Sequence, residues 1–206
     1  PNIIYSIDAC QSIGHINVNV ERFKCDVLIG SGRKFLRGPR GTGFIFLRKM
    51  RNRLIEPQII DSHNSNYKLK INIKPNHVFE NFEYSPALKI GLSESIKRIN
   101  DIGIKKIEKD IKLKSAYFRD KLRKKLDFRF HENKNKISGI NTLSIKNHCP
   151  KKIYNFLLSK KILTSVVEKK NYFSNKNKKS DALRISFHYY NTYKQIDYLV
   201  KCILRI

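Results

Sequence analysis

The sequence predicts an α/β protein, and three observations carry that expectation. Short apolar runs at 3–7, 26–30 and 43–48 each end in glycine or polar residues. Two long stretches of helical periodicity follow Ser85-Pro86. The remainder alternates short apolar runs with amphipathic ones, the pattern of a compact α+β unit.

The first three runs read as strands of a mainly parallel sheet, because short apolar segments that stop at glycine place their loops where such sheets hold ligands. Residues 51–84 are polar and without period, which predicts an extended crossover. Ser85 suits an N-cap and Pro86 the first helical position. Leu88, Leu92, Ile96 and Ile99 then recur at helical spacing, and Gly103 predicts the break. A second helix is expected over 104–126, with Ile107, Ile111, Tyr117, Phe118 and Leu122 on its apolar side. Beyond it, strands are expected at 127–131, 137–146, 162–168 and 182–188, and helices at 150–161 and 192–205. Thr192 followed by Gln195 has the spacing of a capping box. The loop 171–180, rich in Lys, Asn and Ser, is expected to be mobile. The domain expectation is a partial large domain at 1–103, a linking helix at 104–126 and a small α+β domain at 127–206. A buried strand at the very start of the chain predicts that covering elements are missing, so the expectation is a fragment. Ile3, Ile4 and Ile7 should then lack packing partners.

Composition narrows the function. Of 206 residues, 40% are hydrophobic, enough for a real core, and no apolar run approaches a membrane span. The net charge of +26 invites a nucleic-acid reading. Lys, Asn and Ile recur throughout, however, without the aromatic–basic interleaving of a single-strand binder, so nucleic acid is not the expected partner. Cys10, Cys25, Cys149 and Cys202 form no C-x-x-C pair and no zinc spacing, so no metal is expected. Reduced thiols fit a soluble cytoplasmic protein. Cys10 and Cys25 lie in or beside apolar runs, which predicts packing roles for both.

Two segments carry chemistry. Asp8-Ala9-Cys10-Gln11 follows the first strand, and Gly30-Ser31-Gly32-Arg33-Lys34 follows the second. An acid and a lysine at one sheet edge can serve a pyridine cofactor, which needs an amine for a Schiff base and a carboxylate to keep its ring nitrogen protonated. The segment Gly38–Gly43 looks like a phosphate loop, but no Gly-Lys-Ser/Thr follows, so it is not a Walker motif.

Together, Asp8-x-x-Gln11-Ser12-x-Gly14-His15, Cys25-Asp26 and the run from Gly30 through Lys34 to Phe44 resemble the cofactor region of class V aminotransferase-fold enzymes. That family includes cysteine desulfurases, selenocysteine lyases, isopenicillin N epimerase and hercynylcysteine sulfoxide lyase. Phe79-Glu80-x-x-Glu83 and Leu183–Thr192 resemble its middle and closing segments. The resemblance implies the fold type I architecture of pyridoxal-phosphate (PLP) enzymes, a homodimer and an amino-acid substrate, with lyase or transaminase (transferase) chemistry. It implies Asp8 at the pyridinium nitrogen, Gln11 at the phenolic oxygen, Ser31 and Arg33 at the phosphate, Lys34 as the Schiff-base and catalytic residue, and Arg184 on the substrate carboxylate. Its large domain begins upstream of the Asp strand, so this chain corresponds to the C-terminal portion.

The departures are specific. Desulfurases carry a nucleophilic Cys shortly before the closing Arg strand, and the stretch from Glu168 to Asp181 has none, which disfavours persulfide chemistry. Glu83 stands where relatives offer Thr to a partner's phosphate. The runs Arg37–Gly43 and His188–Asn191 lean toward the sulfoxide-lyase and epimerase branch. The alternative function is an inactive remnant of the fold that serves as a basic binding module.

Overall fold

The computed structural model describes residues 3–49, 79–80, 83–123, 127–133, 135, 137–168 and 181–206. The expected crossover at 51–84, apart from 79–80 and 83–84, and the expected loop at 171–180 lie outside these residues. The chain divides into two compact units, Pro1–Lys105 and Lys106–Ile206.

The first unit is built on a three-stranded sheet in the order β1 (Ser6–Asp8), β2 (Val27–Ser31), β3 (Gly43–Leu47). β1 and β2 run parallel, with Ile7 opposite Leu28 and Asp8 opposite Ile29. β3 is antiparallel to β2, with Ile29 opposite Ile45. β3 is thus the one strand of the described sheet that departs from the parallel direction. The connection 32–42 is too short for a parallel crossover, which needs a dozen or more residues, so the chain returns as a long hairpin.

One face of this sheet packs Ala9, Cys25 and Leu28 against Ile7, Phe44 and Phe46. Alternation places Ile29 and Ile45 on the other face, 42% and 36% exposed. Ile3 and Ile4, which precede β1, are 74% and 39% exposed, whereas Ile7, within it, is half-buried against that small core. A single helical turn, α1 (Val20–Phe23), was not foreseen. Asn19 caps it through Arg22 N–H, and Arg48 ties it to the sheet by bonding both Glu21 carboxylate oxygens and the Val20 and Cys25 carbonyls.

α2 (Pro86–Ile102) starts at Ser85 and ends at Gly103, whose φ of 88° lets its N–H reach back to the Ile99 carbonyl. α3 (Ile104–Arg123) follows directly. In the second unit the sheet order is β4 (Phe128–Phe130), β5 (Ile140–Ile145), β7 (Ala182–Ser186), β6 (Ser165–Val167), every pairing antiparallel. α4 (Pro150–Ser159) and α5 (Tyr193–Ile203) cover one face. Phe118 and Leu122 of α3 join Leu143, Ile153, Leu157, Leu183 and Ile196 in a core where each is almost fully buried. Each such side chain stabilises by roughly 1.5–3 kcal/mol relative to exposure. The capping box of Thr192 and Gln195 is present in both directions.

Candidate active site

In a parallel pair, both strands deliver their C-terminal ends to the same sheet edge. β1 ends at Asp8 and β2 at Ser31, so two loops leave side by side. The first, from Ala9, is a tight turn closed by Ser12 and Ile13 N–H groups on the Ala9 carbonyl and by Ile16 N–H on the Ser12 carbonyl. The second is the turn that carries Lys34, closed by Arg37 N–H on the Lys34 carbonyl and Gly38 N–H on the Gly32 carbonyl.

The two loops interlock. Gly14, at φ 78°, lies so close to the second loop that an added Cβ would stand 2.7 Å from the Phe35 carbonyl carbon and 2.8 Å from the Leu36 nitrogen. The buried His15 ring stacks on Phe35 with centroids 4.0 Å apart. Phe35 and Leu36 are themselves buried, so the residues directly after Lys34 are fixed while Lys34 is only half-buried. α2 backs the same turn: Ser95 donates to the Arg37 carbonyl, and a Leu92 methyl fills the space beside Gly32 and Gly38.

Asp8 is exposed, and the Cys10 backbone N–H donates to its Oδ1 at 2.9 Å. That bond, then the Cys10 thiol and, more weakly, the Lys34 ammonium, hold the carboxyl below the usual carboxylate range against a small opposing effect of burial. The Cys10 thiol sits 3.9 Å from the Ile29 carbonyl. Burial and Asp8 push its pKa up, while Lys34 and Arg33 pull it down. Asp8, Cys10, Arg33 and Lys34 thus share one electrostatic neighbourhood. Gln11 is exposed on the first loop, with its carbonyl 3.1 Å from His15 Nδ1. Ser31 ends β2, half-buried, and Arg33 is exposed.

Cys10 is the residue whose part was missed. It had been expected to be a packing residue, yet it is only partly buried and its N–H anchors the acid. The signal was an Asp two residues before it at a strand end, the arrangement of an Asx turn.

In the second unit, Arg184 lies in the middle of β7, opposite Thr142 on one side and Ser165 on the other. Its Nε is buried and makes no hydrogen bond to any described residue. A buried guanidinium N–H without an acceptor is costly. His188 is buried on the turn after β7, where its Nδ1 accepts from Tyr189 N–H. No described helix is long and apolar enough to cross a membrane.

An ionised acid and a tethered lysine at the shared edge of two parallel strands define the class of protein: an α/β scaffold with a strand-end site. The aminotransferase class-V family model matches residues 1–199, and the chain belongs to that family. A probable cysteine desulfurase of Borreliella burgdorferi is 31% identical, over 95% of this chain and 49% of its own length. A second, from Pyrococcus abyssi, is 38% identical over 52% of this chain and 27% of its own. The chain spans about half the length of the curated relatives it matches most fully. Among solved structures, the apo cysteine desulfurase of Thermococcus onnurineus NA1 superposes with a TM-score of 0.88 at 24% identity, over 98% of this chain and 52% of that one. The cystine C–S lyase C-DES, solved with its product cysteine persulfide, gives 0.82 at 16% identity, over 94% of this chain and 50% of that one. These likenesses establish the fold.

Proposed function

We propose that this chain carries the lysine-bearing part of a PLP site and acts on an amino acid by lyase or transaminase chemistry. The observation that supports this most is Asp8, kept ionised by Cys10 N–H and set beside Lys34 and Arg33. The residues present fit the cofactor. A carboxylate below its ordinary pKa can keep a pyridine nitrogen protonated. A lysine on a turn pinned by buried neighbours can hold the ring covalently. Ser31 and Arg33 supply a hydroxyl and a cation for a phosphate at the end of β2. Gln11, on the first loop, would hydrogen-bond the phenolic oxygen.

When bound, PLP supplies an electron sink for a carbanion beside the amino group. Lys34 then moves the proton at the substrate's alpha carbon. Arg184 would take the substrate carboxylate as a planar fork. The cysteine desulfurase names of the relatives favour a sulfur-bearing amino acid. Glu168–Asp181 contains no Cys, so sulfur transfer through that segment is not part of the proposal. A cytoplasmic homodimer is the working assembly.

The experiment is a spectral titration of the complete gene product, loaded with PLP, against a panel of amino acids and S-substituted cysteines. Arg184→Ala should keep the visible absorbance and weaken amino-acid binding by about 1.5–3 kcal/mol, the range for a charge-assisted bond. Arg184→Lys should recover little of it. Unchanged affinity in Arg184→Ala would remove the arginine from the site, and no spectral response to any amino acid would remove the proposed substrate class.

A further inference from the structure

A second polar site lies in the Lys106–Ile206 unit, at the open edge of its sheet. There the end of α3 meets the edge strand β4 around a cavity of about 310 Å³, lined by Arg119, Arg123, Asp127, Phe128, Arg129, Phe130 and Glu132. Arg119 is the built part. It is 5% exposed, and its guanidinium lies 4.6 Å from the Phe130 ring centroid. Its Nε donates to Asn141 at 2.7 Å, and one terminal nitrogen donates to Glu132 at 3.0 Å. The other terminal nitrogen makes no hydrogen bond to a described residue and is not among the buried unpaired atoms, so it opens on the cavity.

The acids in the wall are already engaged. Glu132 holds Arg119 with one oxygen and accepts the Thr142 N–H with the other. Asp127 pairs with Lys146 at 3.1 Å. Arg123 and Arg129, both exposed, make no ion pair with any described residue. Arg119 and Arg123 therefore bring two guanidinium groups to one small cavity whose carboxylates are committed elsewhere; Arg129, paired with Ser144, lies on the opposite face of β4 from Phe128 and Phe130. Burial pulls the Arg119 pKa down, Glu132 opposes it, and the Arg123 charge adds a smaller downward pull.

We propose that this cavity binds a phosphate group, free or as a monoester, between the spare nitrogen of Arg119 and the side chain of Arg123. Guanidinium groups match the geometry and charge of a tetrahedral dianion, and each bond would be charge-assisted. Phe128 and Phe130 give the cavity an apolar wall on which the ester group of a monoester can rest. The site is independent of the PLP reading, since no residue is shared.

The test is isothermal titration of the full chain with inorganic phosphate and, in a second arm, phenyl phosphate, at about 0.15 M salt so that diffuse attraction to a basic protein is screened. A saturable site is expected that survives Arg33→Ala, the variant that removes the cation from the proposed PLP phosphate contact. Arg123→Ala should weaken it by about tenfold, equivalent to about 1.4 kcal/mol. A charge-matched control, Arg129→Ala on the opposite face of β4, should leave it unchanged. Tighter binding of phenyl phosphate assigns a monoester, and equal binding assigns free phosphate. No saturable binding, or equal loss in the control and the test variant, would overturn the proposal, because either result reduces the effect to net charge.

Discussion

Gly14→Ala is the substitution that best tests whether the two site loops are mechanically one unit. Two costs act together at this position. A φ of 78° is left-handed backbone, which costs an L-residue roughly 1–2 kcal/mol. The new Cβ would also meet backbone atoms of Phe35 and Leu36 at 2.7–2.8 Å, and backbone cannot swing aside as a flexible side chain can. Overpacking of this kind costs about 1–3 kcal/mol. The internal control is Gly103→Ala. That position has φ 88° and nothing within 4 Å, so it carries the backbone cost without the clash. The loss of unfolded-chain entropy is common to both and cancels in the comparison. Gly103→Ala should therefore cost about 1–2 kcal/mol and Gly14→Ala about 2–5 kcal/mol. With a urea slope of about 2 kcal/mol/M, the Gly14 midpoint should fall by about 1–2.5 M, roughly twice the control's shift. Urea unfolding followed by circular dichroism measures both. If the two variants lose the same stability, the close approach of Gly14 to the Lys34 turn is not a real constraint, and the argument that the turn is held from behind fails.

Two further outcomes follow from the charge environment. The Asp8 carboxyl should titrate below ordinary aspartates in a carboxyl-carbon NMR titration. Its folded pKa is depressed, so its stabilising contribution is complete above the unfolded value of about 3.9 and is lost as pH falls through the lower folded value. Titration at or above the ordinary value would remove the Cys10 N–H contact from the site. Among the thiols, Cys149 should alkylate first. It is exposed, and the Lys152 and Lys151 backbone N–H groups at the start of α4 lower its pKa, with Lys152's charge assisting, while Cys10 is shifted upward and Cys25 and Cys202 are buried. Peptide mass spectrometry after brief iodoacetamide treatment near neutral pH reads the order, and faster labelling of Cys10 would contradict it.

Much of the fold was legible because its boundaries are set by local chemistry. Ser85-Pro86, Cys149-Pro150 and Thr192-x-x-Gln195 mark helix starts through capping and a fixed proline φ, and all three helices begin there. Strand positions came within a few residues, since buried apolar runs mark burial better than ladder ends. The direction of β3 was not legible from its apolar pattern, because alternation carries no sense of the partner's direction. Only the short 32–42 connection held that information. α1 escaped notice because four residues show no period, and its support comes from Arg48, distant in sequence. In the site, Asp8 and Lys34 were legible as polar residues at strand ends. The Gly14–Phe35 interlock was not, because it depends on two loops meeting in space, and Cys10 acts through its backbone, which no side-chain reading detects.

The central claim is that Lys34 is the amine that holds the cofactor. The complete gene product, loaded with PLP, should be reduced with sodium borohydride, digested and mapped by mass spectrometry. A single phosphopyridoxyl group on the peptide bearing Lys34, absent from Lys34→Ala together with the visible absorbance, is the expected result. Label on any other lysine, or an unchanged spectrum in Lys34→Ala, would contradict it.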